Sequence, residues 1–125
     1  MDRCKKIGVI GLGLIGGSIF KALCALGCNV YAVSKSSSTL KKAKKYSNNI
    51  SDNLESLIGC DFIFVCTPMN KTLQILDNLD KILNKTTIVI DTCSLKGFIT
   101  GQKYNFKFIP SHPMAGTEFS GFDSS

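Results

Sequence analysis

Apolar residues gather along this chain in two patterns. Short, nearly unbroken runs occupy residues 7–10, 29–33, 61–66, 87–90 and 106–109, and each stops abruptly at a glycine, a hydroxyl, an acid or a proline. Compact apolar runs bounded by turn formers read as strands buried on both faces. Between them lie longer stretches with helical spacing. Residues 14–26, closed by Gly27, form one. Residues 70–84 form another, with Leu73, Leu76, Leu79, Ile82 and Leu83 on a single stripe. A short basic helix is expected over 39–46, capped by Ser38 or Thr39. A brief extended piece near Ile50, a helical turn over 52–58 and a short helix over 95–100 complete the pattern.

Strands and helices alternate, which calls for right-handed crossovers and a parallel sheet. Six strands, counting the piece near Ile50, fit an α/β doubly wound parallel sheet of the Rossmann type with strand order 3-2-1-4-5-6. Such sheets bind ligands at the carboxyl ends of their strands. The polar and chemically able residues of this chain fall at those ends: the turn 11–16, Ser34 to Ser36, Cys66 with Thr67 and Pro68, Asp91 to Ser94, and Ser111 with His112.

The turn after the first strand reads Gly11-Leu12-Gly13-Leu14-Ile15-Gly16. The G-x-G-x-x-G spacing is a weak signal alone, but here it leaves a strand and opens a helix, which is the context it requires. The three glycines do different things. Gly11 makes the tight turn, Gly13 admits a pyrophosphate to the backbone, and Gly16 lets helix and strand pack closely. The helix presents free N–H groups and its positive dipole end to the phosphates. A dinucleotide-binding domain over residues 1–125 is the expectation.

Composition narrows the class. The 125 residues suffice for one domain, and 44% hydrophobic against 19% charged residues is the balance of a globular protein. No apolar run reaches membrane-spanning length, and the first strand follows the N-terminus at once, so no membrane partner and a cytoplasmic location are expected. The six cysteines contain no C-x-x-C pair, and the single histidine offers little to complete a metal site, so reduced, mostly buried thiols and no metal are expected. The net charge of +6 comes from fourteen lysines and one arginine against nine acids, with lysines bunched at 35, 41, 42, 44 and 45. No aromatic residues are interleaved with them, so a solvated helix face or a basic field beside an anionic cofactor is favoured over nucleic acid.

Cofactor choice turns on the end of the second strand. An acid there binds the ribose hydroxyls of NAD. This chain instead has Ser34-Lys35-Ser36-Ser37. Hydroxyls and an ammonium suit a 2′-phosphate, and two charge-assisted hydrogen bonds at roughly 1.5–3 kcal/mol each give a preference of about a hundredfold or more. NADP is expected over NAD. A serine-rich turn that merely lacks the acid is the plainer alternative.

His112 follows the last strand, where a near-neutral imidazole is suited to take a hydroxyl proton during hydride transfer. Ser94 stands at the end of another strand, in Asp91-Thr92-Cys93-Ser94-Leu95-Lys96. Asp91 or Ser94 would serve equally as a helix cap, and Ser94 would also serve as a hydrogen-bond partner for substrate and histidine.

Four stretches together resemble the prephenate and arogenate dehydrogenases of tyrosine biosynthesis: the glycine turn, Cys66-Thr67-Pro68, the Asp-x-x-Ser-x-Lys of residues 91–96, and His112-Pro113-Met114-Ala115-Gly116-Thr117-Glu118. The resemblance runs over essentially the whole chain, and its last motif is the specific one. It implies NADP-dependent oxidative decarboxylation of prephenate or arogenate. His112 would take the ring-hydroxyl proton, Ser94 would orient histidine and substrate, and Thr117 and Glu118 would line the site mouth. The family continues into a helical domain that dimerises and closes the substrate site. Because the only arginine here is Arg3, the chain is expected to be the cofactor half of a longer, homodimeric enzyme, and to catalyse little alone. Another NADP-dependent hydroxy-acid dehydrogenase and a non-catalytic NADP-binding module are the alternatives. Neither explains the His112 to Glu118 stretch.

Overall fold

The computed structural model describes residues 5–92 and 104–110. Strands β1 (Lys6–Ile10), β2 (Asn29–Val33), β3 (Ile50–Ser51), β4 (Phe62–Val65), β5 (Ile88–Asp91) and β6 (Lys107–Pro110) alternate with helices α1 (Leu14–Ala25), α2 (Ser37–Ala43) and α3 (Met69–Ile82). A 3-10 turn spans Leu54–Leu57. All strand pairs are parallel, in the order β3-β2-β1-β4-β5-β6. This is the expected doubly wound sheet, with β1 next to β4 where the winding reverses.

The period of two along each strand divides the core between the faces. Ile7, Val9, Val30 and Ala32 join Phe20 and Leu23 of α1 and Ala43 of α2 on one side. Ile10, Val33, Ile63, Val65 and Val89 join Leu76 and Leu79 of α3, Leu57 and Phe106 on the other. Leu76 and Leu79 lie on the stripe read from the sequence and are completely buried. Among the described residues no helix is long and apolar enough to cross a membrane.

Several boundaries differ from the sequence reading. α2 begins earlier than expected and its cap is Ser36, whose hydroxyl accepts the Thr39 N–H at 3.3 Å. Neither Ser38 nor Thr39 serves, because the extended backbone needed for a cap falls at Ser36, three residues past the end of β2. α1 ends at Ala25, and the chain reverses through Gly27 at φ +80. Gly27 N–H meets the Cys24 carbonyl and Cys28 N–H the Leu23 carbonyl, the paired bonds of a Schellman ending. Among the described residues Cys24, Cys28, Cys60 and Cys66 are reduced cysteines, and only Cys60 is buried. Cys24, Cys28 and Cys66 are half-buried. The helix expected over 95–100 lies outside the described residues.

Candidate nucleotide-binding site

The site is built where β1 gives way to α1. Ile10 and Leu12 are buried, which pins both sides of the turn. Gly11 adopts φ +87, a left-handed conformation that glycine tolerates and a side chain resists. Its N–H donates to the Val33 carbonyl at 2.9 Å, and Cys66 N–H donates to the Ile10 carbonyl at 2.8 Å. The turn is thereby locked to the ends of β2 and β4.

The three glycines differ in what surrounds them. A Cβ on Gly16 would fall 1.7 Å from the Gly11 carbonyl oxygen and 3.0 Å from Cys66 Cβ, so α1 lies directly against the turn. A Cβ on Gly11 would fall 2.7 Å from the Cys66 carbonyl oxygen. A Cβ on Gly13 would meet nothing within 4 Å. Two glycines therefore exist for packing, and the middle one faces open space. Gly13 is also the cap of α1, and it makes no side-chain cap hydrogen bond to the first turn. An exposed glycine before a helix start with no side-chain cap fits a phosphate of a dinucleotide. Leu12 contributes its backbone, its side chain being buried, while Leu14 and Ile15 are half-buried in the first turn.

At the end of β2, Ser34 Oγ accepts Ser36 N–H at 3.2 Å. Ser36 Oγ is shared between Thr39 and Ser38, and Lys35 Nζ donates to the Asp52 carbonyl at 3.1 Å. Ser36 is thus already committed to capping α2. Lys35 is exposed.

At the end of β4, Thr67 Oγ1 and Thr72 Oγ1 lie 3.0 Å apart, and Thr72 Oγ1 also donates to the Pro68 carbonyl at 3.1 Å. These bonds hold the Cys66-Thr67-Pro68 bend against the start of α3. Thr92 binds the Val65 carbonyl through both N–H and Oγ1, at 3.0 Å each, and fixes the end of β5 beside it. Asp91 is buried there. Thr72 and Thr92 were not apparent as site residues from the sequence, because a threonine that braces a loop from within a helix or strand end has no local signature.

Residues 20–125 match the prephenate dehydrogenase nucleotide-binding domain family. The chain belongs to this family. Among curated relatives, a cyclohexadienyl dehydrogenase of Zymomonas mobilis is 30% identical, with the match covering 99% of this chain and 45% of the relative. Among solved structures, Synechocystis arogenate dehydrogenase superposes with a TM-score of 0.81 at 35% identity, over 96% of this chain and 45% of that one. Prephenate dehydrogenase from A. aeolicus, solved with hydroxyphenyl propionate and NAD+, gives a TM-score of 0.77 at 25% identity, over 95% and 45%. The chain spans about half the length of these relatives.

Within this prephenate dehydrogenase-type domain, the Cys66 thiol beside the glycine turn is kept neutral. Burial pushes the Cys66 thiol up to about 12; a hydrogen bond with Thr92 opposes this and the charge of Asp91 adds to it. Cys66 therefore packs against Gly16 and Gly11 and is not poised as a nucleophile. The family match takes in the stretches that hold Ser94, His112, Thr117 and Glu118. Those four residues lie outside the described residues, so the structure assembles the proposed cofactor-binding positions and leaves the proposed chemical ones to the sequence.

Proposed function

We propose that this chain is the cofactor-binding domain of an NADP-dependent dehydrogenase that oxidatively decarboxylates prephenate or arogenate. The observation that carries the reading is the family match over residues 20–125, which includes both the 91–96 motif and the 112–118 motif. The open cradle at Gly13 and the uncapped start of α1 support the nucleotide half of it.

When bound, the nicotinamide ring supplies a hydride acceptor. His112 takes the proton of the substrate ring hydroxyl at an imidazole nitrogen as the hydride departs, and Ser94 holds both the imidazole and that hydroxyl in register. Loss of carbon dioxide then aromatises the ring and draws the reaction forward. Thr117 and Glu118 line the entrance. Ser34 and Lys35, at the end of β2, take the ribose phosphate and so favour NADP. The Asp91 carboxylate and the Cys66-Thr67-Pro68 bend border the cofactor. A dicarboxylate calls for forked donors, and the only arginine here is Arg3. In this proposal those donors belong to a second, helical domain that also makes a dimer.

The test is substrate-dependent reduction of NADP with matched release of carbon dioxide, using prephenate and arogenate in parallel. His112→Asn is expected to lower turnover by orders of magnitude with NADP affinity unchanged. Retained turnover would remove His112 from the chemistry.

A further inference from the structure

The loop after β2 and the loop after β3 are tied together. Ser34 N–H donates to the Ser51 carbonyl at 3.1 Å, and Lys35 Nζ donates to the Asp52 carbonyl at 3.1 Å, across seventeen positions of sequence. Beyond that carbonyl the backbone is held in succession. Ser51 Oγ accepts Asn53 N–H at 3.0 Å, and Asn53 Oδ1 accepts Glu55 N–H at 3.0 Å, capping the 3-10 turn. Leu57, at the end of that turn, is completely buried. The Asp52 carbonyl is therefore anchored to the core through a short chain of side-chain caps.

What holds Lys35 matters electrostatically. The acceptor is the Asp52 carbonyl, not its carboxylate. A carbonyl restrains the ammonium's direction without neutralising its charge, and one acceptor uses only one of its three N–H donors. A flexible lysine otherwise loses much rotamer freedom when it grips a ligand, and restraint beforehand lowers that cost. Lys35 also borders a cleft of about 510 Å³ lined by Asp52, Asn53, Glu55, Asn78 and Lys81.

We propose that Ser51 and Asn53 are positioning residues for cofactor choice. They hold the Asp52 carbonyl, which aims the Lys35 ammonium at the 2′-phosphate of NADP. This rests on the reading of Ser34 and Lys35 as the ribose-phosphate loop. Neither residue touches the cofactor; both act through Lys35.

The experiment is calorimetric titration of wild type, Asn53→Ala, Ser51→Ala, Lys35→Ala and the Lys35/Asn53 double variant with NADP and with NAD. Asn84→Ala serves as control, since Asn84 Oδ1 makes an equivalent turn bond to Thr86 N–H at 3.0 Å, between α3 and β5. Lys35→Ala is expected to lower the NADP:NAD affinity ratio about tenfold, the scale of one charge-assisted contact. Asn53→Ala and Ser51→Ala are expected to lower it about threefold with NAD affinity unchanged, and Asn84→Ala not at all. In the double variant Asn53→Ala adds nothing to Lys35→Ala, because both act through one contact. A changed ratio in Lys35→Ala with an unchanged one in Asn53→Ala and Ser51→Ala would overturn the positioning role alone. An unchanged ratio in Lys35→Ala would overturn the phosphate-loop reading and this inference with it. Equal weakening of NADP and NAD in Asn53→Ala would mark Asn53 as merely structural.

Discussion

Replacing Gly16 and Gly13 separately by alanine divides packing from binding at the glycine turn. At Gly16 the new Cβ would stand 1.7 Å from the Gly11 carbonyl oxygen and 2.9 Å from its carbon. A comfortable carbon–oxygen approach is about 3.3 Å, so some 1.6 Å of separation must be found. Gly11 cannot supply it, because it already lies close against the Cys66 backbone and its N–H is bonded to Val33. α1 must therefore move off the sheet and loosen Phe20 and Leu23, both buried against β1 and β2. Overpacking of this kind costs typically 1–3 kcal/mol and more when backbone is the obstacle. At about 3 kcal/mol, a chain of this size should lose roughly 10 °C in Tm. Gly13→Ala meets no atom, so its Tm should fall by little, while the methyl group occupies the space a phosphate needs. Circular-dichroism melts with and without NADP read both effects: Gly16→Ala melts lower in either condition, and Gly13→Ala melts near wild type but gains at most a small fraction of the wild-type NADP shift. A Gly16→Ala melt within a degree or two of wild type would refute the packing argument. A full NADP shift in Gly13→Ala would refute the phosphate cradle.

Two further outcomes follow from the same geometry. Ser34→Asp places a carboxylate where the ribose phosphate is expected and should move the ratio of catalytic efficiencies towards NAD; an unchanged ratio would show that residues 34–36 do not discriminate. Burial raises the thiols of Cys60 to about 11 and Cys66 to about 12, against an ordinary value of 9.0. The unfolded chain ionises first, so stability in chemical denaturation should be level below about pH 8 and fall from pH 9 towards 12. The fall should be shallower in Cys66→Ala, and an equal slope in that variant would contradict the buried neutral thiol.

The fold was legible because its determinants are local and repeated. Compact apolar runs, a stripe through Leu76 and Leu79, and a glycine turn between strand and helix leave few topologies open. The cap of α2 was not legible, since Ser36, Ser37, Ser38 and Thr39 are equivalent by local preference and only the end of β2 decides among them. The Lys35 contact was hidden for another reason: its acceptor is a backbone carbonyl, which every residue has, brought near by the β2–β3 pairing. The opposite holds for Ser94 and His112. They stood out by residue type and by position after strands, and their spatial relation to the glycine turn lies outside the described residues.

The most direct test of the account is titration of the wild-type protein with NADP and NAD side by side. Binding of both is expected, with NADP tighter by tenfold or more. Equal affinities would contradict the role given to Ser34 and Lys35, and binding of neither would contradict the nucleotide site itself.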